Sequence, residues 1–328
     1  MRHRLLSIIL GFTILLCSGC GTTKEPLTAT DFYFDTVIKI LLYDTNDQKI
    51  LDDAMELCQQ YEKKFSRTIE TSEISKINNS KGTPVTVSDE TIELLKKGIH
   101  YSKLSNGAFD LTIAPLSNLW NFKDNTGTIP SDEEIKEKCS HINYENILIK
   151  GNTVTLLDPE MSIDLGGIAK GYVADQLKEF FISKGIEHGI IDLGGNVLLI
   201  GNKPDGSDFH IGIQKPFDER NETIASLSVH DKSVVSSGIY ERYFKINDQI
   251  YHHILNPFTG FPYENNLLSV TIISDSSVDG DALSTTCFSL GLEKGMELID
   301  QLENTEAVFI TKDYKLHYSK NIEDIIIK

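Results

Sequence analysis

The chain has 328 residues, 40% of them hydrophobic and 24% charged, with five cysteines and a formal charge of −17. That apolar share is enough for a packed core and excludes a chain that stays unfolded. The acidic excess speaks against a surface that grips nucleic acid or anionic lipid, so a polyanionic ligand would need local cations or backbone N–H groups.

In chain order, Arg2 and Arg4 precede an apolar run over residues 5–16, short for a bilayer span and of the form of a signal peptide. The run ends in Cys17-Ser18-Gly19-Cys20. Small residues before a cysteine resemble a bacterial lipobox, which predicts cleavage before Cys20 and a diacylglycerol thioether on it. The layout expected is therefore a signal peptide at 1–19, a lipidated tether at 20–30 and one domain at 31–328. Such a protein would be anchored on the extracytoplasmic face of the cell membrane. Cys58, Cys139 and Cys287 lack metal-ligand spacing, and the first and last lie on apolar helix faces as buried thiols.

Residues 34–42 (FDTVIKILL) read as the first strand. Ile50, Leu51, Ala54, Leu57, Cys58, Tyr61 and Phe65 then recur as one face of an amphipathic helix. Ser88 caps a second helix that runs through His100 and stops near Gly107. Ser131 and Glu134 have capping-box spacing, and 147–157 (ILIKGNTVTLL) reads as a hairpin about a Gly-Asn turn. Next, 162–165 alternates like the end of a buried strand and Gly166-Gly167 turns. Ala169, Val173, Leu177 and Phe180 then keep helical spacing. Strand, glycine turn and helix let backbone N–H groups approach phosphate oxygens. Asp164 would point into that turn and Lys170 would lie in the first turns of the helix. The spacing matches neither the dinucleotide fingerprint nor the P-loop.

Residues 189–273 read as short strands broken by Gly, Pro and Asn-Asp turns, with 250–255 pairing back on 240–246. Residues 281–290 read as a helix ending at Gly291, and 306–311 and 315–318 as closing strands. This mixture predicts an α+β fold with antiparallel sheets and packed helices. A repeated IDLGG, at 163–167 and 191–195, hints at internal duplication.

Asp281 and Thr285 lie one helical turn apart, so carboxylate and hydroxyl share a face, with Ser284 beside them. Oxygen ligands without clustered His or Cys suit Mg²⁺ rather than zinc, although two side chains are too few to hold the ion alone. An acid in the first turn of a helix is also common for reasons of the helix dipole. His253 precedes Asn256-Pro257 in a strand-like run. Imidazole is the side chain best suited to accept a hydroxyl proton near neutral pH, though a lone histidine in an apolar strand is more often structural.

Six segments in order resemble the ApbE family of bacterial flavin transferases: GAFDLTIAPL at 107–116, SIDLGGIAKG at 162–171, IDLGGNV at 191–197, SSGIYERYF at 236–244, HILNPFTG at 253–260 and DALST at 281–285. The resemblance runs from about residue 31 to about residue 292. It implies the family's duplicated antiparallel α+β fold and an FAD:protein FMN transferase. Such an enzyme uses Mg²⁺ to move FMN from FAD onto a threonine of an extracytoplasmic flavoprotein, releasing AMP. By the same resemblance, the Asp281 carboxylate, a Ser284 backbone carbonyl, the Thr285 hydroxyl and the Gly167 carbonyl hold the metal. Ala108, Phe109, Asp110 and Asp164 line the FAD. Lys170 stands where members vary between Lys and Glu, and Phe34 where some place Met against the flavin. His253 helps to activate the acceptor threonine. Two positions depart from the family: Ser284 where Ala is usual, and Thr68 where some members have Tyr. An FAD pyrophosphatase would need the same residues, with water as acceptor. A non-catalytic flavin-binding lipoprotein would need Phe109 and Asp164 but not Asp281.

Overall fold

The computed structural model describes residues 25–124, 127–219 and 222–327. The expected signal peptide and Cys20 lie outside the described residues.

β1 (Leu27–Tyr33) and β2 (Thr36–Leu42) form a hairpin, and both turn residues, Phe34 and Asp35, have positive φ (54° and 58°). Two expectations are corrected here. Residues 34–35 are a turn rather than the start of a strand, and residues 27–30, read as tether, belong to the sheet. A two-residue turn of this hand normally advertises itself by Asn-Gly or Asp-Gly, and Phe-Asp does not. α1 (Gln48–Phe65) is capped by Asp47 and buries Leu51, Ala54, Cys58, Tyr61 and Phe65 as one stripe. There follow α2 (Glu73–Asn78), β3 (Val85–Thr86) and α3 (Asp89–Leu104), the last capped by Ser88. α4 (Ala114–Trp120) precedes α5 (Asp132–Cys139), which carries the Ser131–Glu134 capping box, and β4 (Ile147–Lys150) and β5 (Thr153–Leu156) form the expected hairpin.

After α6 (Ala169–Ser183) come β6 (Gly189–Leu193), β7 (Asn196–Ile200), β8 (Phe209–Gln214) and β9 (Thr223–Val229). Next are β10 (Ser233–Gly238), β11 (Tyr243–Ile246), β12 (Gln249–His252) and β13 (Leu267–Ser274). α7 (Ser277–Leu290), α8 (Leu292–Ile299), β14 (Thr305–Thr311), β15 (Leu316–Tyr318) and β16 (Ile326–Ile327) complete the described chain.

Eight strands form one sheet in the order β1-β2-β6-β7-β10-β13-β14-β15. Every neighbouring pair in it is antiparallel, as the short alternating runs and tight turns required. β13 is buried along its whole length, and α7 packs over β10 and β13 while touching α6. A second, smaller apolar cluster gathers Leu116, Trp120, Ile135, Phe244 and Leu255 from α4, α5 and the β11–β12 region. Cys58 and Cys287 are buried free thiols. Among the described residues no helix is long and apolar enough to cross a membrane.

Three further readings change. Residues 162–165 are extended but make only a single bridge, Ser162 with Ile113. The Asn78 amide accepts from the Ile163 N–H (2.7 Å) and donates to its carbonyl (2.9 Å), so a side chain stands in for a neighbouring strand. α7 begins at Ser277, a turn before the expected Asp281, because Ser276 caps it. The two IDLGG copies differ in conformation: one leads into a helix, the other forms β6 and its turn, so the repeat marks no shared local structure.

Candidate active site

The site begins where α6 meets α7. α6 has no side-chain cap at Ile168. Asp281 of α7 supplies one from outside, its Oδ2 accepting the Gly171 N–H at 2.9 Å. In return Asp175 of α6 accepts the N–H groups of Ser277 and Val278, both at 2.8 Å, at the start of α7. Each helix therefore has open N–H groups closed by a carboxylate of the other. A Cβ at position 171 would fall 2.2 Å from the Ser277 carbonyl oxygen, so only glycine permits this crossing. Asp281 is 3% exposed and lies in the second turn of α7, where the first-turn dipole explanation does not reach. Its Oδ1 faces the Lys170 ammonium at 3.4 Å.

One turn further, a relay of hydroxyls fixes Thr285. Ser237 Oγ of β10 lies 3.0 Å from Thr285 Oγ1 and 2.7 Å from Ser284 Oγ. Ser284 donates its one proton to the Asp281 carbonyl at 2.9 Å. A carbonyl only accepts, so Ser237 donates to Ser284 and Thr285 donates to Ser237. The Thr285 oxygen keeps its lone pairs for another partner. A Cβ at position 167 would lie 3.5 Å from that oxygen and 3.1 Å from the Phe109 ring, which brings the glycine turn and Phe109 to the same place. Asp281, Thr285, Gly167 and Lys170 thus converge, and the Ser284 side chain belongs to the relay. The donor set is all oxygen, and an ammonium already rests against the carboxylate. Both features fit a hard divalent cation. Among the described residues no group of three or more His, Cys, Asp or Glu could hold a metal, so water and substrate phosphates would have to supply the remaining ligands.

Asp164 points into the glycine turn as expected. Its Oδ1 accepts the Gly166 N–H at 2.8 Å, and its Oδ2 pairs with Arg67 Nε at 3.0 Å. Sequence reasoning missed Arg67, which also reaches Asn118 of α4. It flanks Thr68, itself exposed, so a guanidinium lies beside the position where some family members have Tyr. Ala108 offers its carbonyl to the Tyr263 hydroxyl (2.8 Å), and the exposed Phe258 ring lies against Gly107. Asp110 turns inward: Oδ1 accepts from the Thr112 N–H (2.8 Å) and hydroxyl (2.7 Å), and Oδ2 from the Tyr144 N–H (3.0 Å). Burial raises its proton affinity above that of an ordinary aspartate. Its carboxylate thus ties residues 110–112 to Tyr144 from behind. Phe34 sits in the β1–β2 turn, its N–H bound by Glu62 Oε1 at 2.7 Å, and the adjacent Asp35 pairs with Lys123 beyond α4.

β12 ends at His252, one residue before His253. His253 is half-buried, and its Nδ1 lies 3.3 Å from the Arg242 carbonyl, which also accepts its backbone N–H at 3.1 Å. Because the carbonyl can only accept, the proton sits on Nδ1 and the Nε2 lone pair is left for a substrate. Burial of the ring, with the charges of His252, Arg242 and Lys170 adding, pushes its pKa down to about 3. Lys170 therefore lies within electrostatic reach of both Asp281 and His253. His252 faces the other way, its Nε2 on the Tyr263 carbonyl at 3.1 Å.

Residues 34–309 match the model of the ApbE family. The FAD:protein FMN transferase of Klebsiella pneumoniae (strain 342) is 36% identical over 279 residues, which cover 84% of this chain and 86% of that protein. The protein of the same name from Treponema pallidum is 30% identical over 328 residues, covering 94% and 90%. Among solved structures, the ApbE protein of Thermotoga maritima superposes with a TM-score of 0.85 at 31% identity, covering 93% of this chain and 100% of that one. Flavin transferase ApbE from Vibrio cholerae gives 0.82 at 28% identity, covering 92% and 99%.

Proposed function

The chain belongs to the ApbE family, and from that premise we propose that it is an FAD:protein FMN transferase that carries FMN from FAD onto a threonine of a partner flavoprotein. The observation that carries the reading is the His253 imidazole, held in its Nδ1–H form by the Arg242 carbonyl, within electrostatic reach of Lys170, which itself rests against Asp281. The FAD diphosphate would lie between the glycine turn and Lys170, with Phe109 and the Asp164–Arg67 pair along its length. Asp281, Thr285 and the Gly167 carbonyl would hold Mg²⁺, which when bound offsets the charge of the diphosphate. The acceptor hydroxyl gives its proton to His253 Nε2 as its oxygen bonds to the FMN-side phosphorus. The phosphoanhydride bond breaks, and AMP leaves with the electron pair. Burial is the main reason the free imidazole is a weak base; the charges of His252, Arg242 and Lys170 add to it, and a bound diphosphate would offset the last two. Lipid attachment at Cys20 and an extracytoplasmic location belong to the same proposal.

The test incubates the full chain with FAD, Mg²⁺ and a candidate acceptor domain, following AMP and flavin fluorescence on the acceptor. One AMP per flavinylated acceptor supports transfer. AMP and free FMN without acceptor would make the enzyme a pyrophosphatase, and FAD binding without AMP would leave a binding protein. His253→Ala should bind FAD yet transfer about 100- to 10,000-fold more slowly, the usual share of a positioned base.

A further inference from the structure

His253 stands at the junction of the two apolar cores. Ile254 packs into the main one, and Leu255 into the small one around Trp120. Five aromatic rings meet in and around that small core: Trp120, Phe122, Phe244, Tyr251 and Phe261. The Trp120 ring stacks on Phe122 (5.7 Å, 7°) and Tyr251 (5.9 Å, 26°) and meets Phe261 edge-on (5.7 Å, 70°). Tyr251 faces Phe244 across the β11–β12 hairpin, the hairpin that leads from Arg242 to His253. Trp120 therefore holds the segment before His253 by its ring.

It holds the segment after His253 by its nitrogen. The indole Nε1–H donates to the Gly260 carbonyl at 2.8 Å. Gly260 closes a turn in which its N–H bonds the Asn256 carbonyl and the Asn256 N–H bonds the Phe261 carbonyl, both at 2.8 Å. At φ +74° a Cβ on Gly260 would lie 2.3 Å from Ile135 Cγ2 and 2.8 Å from Cys139 Sγ, so the turn rests directly on α5. Trp120 is 3% exposed and cannot itself meet substrate.

We infer that Trp120 is a positioning residue that places the His253 imidazole by clamping the chain on both sides of it. The inference rests on His253 being the base of the proposed transfer. Asp281 and Thr285 are set by α7 and the main core, whereas the turn after His253 rests on the small core, and the indole N–H is a polar link from that core to the turn. A displacement of about 1 Å at a reacting group can cost on the order of 100-fold in rate.

The test is Trp120→Phe, which keeps a ring and removes the N–H, beside Phe122→Leu, which thins the same stack and leaves the bond to Gly260. Three quantities are read on the full chain: kcat and KM for FAD in AMP release, melting temperature, and the imidazole ¹⁵N shifts of His253. The expected result for Trp120→Phe is a kcat lower by about 10- to 100-fold with KM within about twofold, and ¹⁵N shifts showing a mixture of tautomers in place of Nδ1–H alone. Phe122→Leu should lose melting temperature but retain kcat and the single tautomer. If Trp120→Phe does not fold, benzothienylalanine at position 120, which has the indole outline without the N–H, takes its place. Unchanged kcat and tautomer in the Trp120 variant would overturn the inference. So would equal losses in both variants, which would reduce Trp120 to packing. Should the wild type transfer no FMN at all, the functional reading fails, and the tautomer comparison still judges the clamp.

Discussion

Asp281 does two jobs with two oxygens, one closing α6 at Gly171 and one facing Lys170. Asp281→Asn separates them, since the amide oxygen can still accept the Gly171 N–H while the charge is lost. The expected outcome is AMP release lowered about 100-fold or more with little change in melting temperature. Wild-type turnover in that variant would remove the carboxylate charge from the mechanism. The residue types that bear on this chemistry were legible because they lie close in sequence: Asp281 and Thr285 share a helix face, and Gly167 and Lys170 share a turn. Arg67 was not, because its partner Asp164 lies far along the chain and an ion pair at such separation leaves no local pattern. Asp110 did carry a signal that its family role masked. Asp110-Leu111-Thr112 is an Asx-turn spacing, in which the side chain accepts from the backbone two residues on.

At the scale of elements, reading succeeded for three helices that carry their own punctuation, although it missed α2 despite its cap at Ser72. α1, α3 and α5 have local caps at Asp47, Ser88 and Ser131, and periodicity did the rest. α6 has no local cap and takes one from Asp281, whereas α7 adds Asp175 to its own cap at Ser276; an acceptor supplied from another helix cannot be read from the residues before the first turn. That exchange makes Asp175 a prediction. Asp175→Ala removes the acceptor for two α7 N–H groups, so it should cost about 1–2 kcal/mol by thermal denaturation. Transfer should fall with it, because Asp281 and Thr285 ride on that helix. An unchanged melting temperature would show that the start of α7 is held by Ser276 alone.

Across the whole molecule, two adjacent histidines are folded in their neutral form. Burial pushes His252 down to about 4, and it holds His253 lower still. The unfolded chain protonates both near pH 6.5 and the folded chain does not. Between those values the unfolded state binds more protons, so the contribution of this pair to stability falls as pH drops below about 6.5 and is unaffected above it. Melting temperature measured from pH 7 to pH 5 should decline, and His252→Gln should decline less. Parallel curves would mean that His252 titrates alike in both states. The antiparallel sheet itself was legible from alternation and turn chemistry, whereas its edge was not, because Phe34-Asp35 hides the turn that makes β1 a strand.

That edge strand has a mechanical consequence. The chain enters the fold at Leu27, seven peptide steps beyond Cys20, a leash no longer than about 25 Å. β1 then runs about 20 Å to the turn carrying Phe34. With Cys20 in the bilayer, the enzyme would patrol a thin shell above it, and an acceptor threonine would have to present itself at that height. Cys20→Ser should leave AMP release in solution intact but move the protein out of the membrane fraction, and with it abolish flavinylation of a membrane-held acceptor. A serine variant that still sediments with membranes would cut the leash from the argument; one that drifts free yet modifies the same acceptor would show that height never mattered.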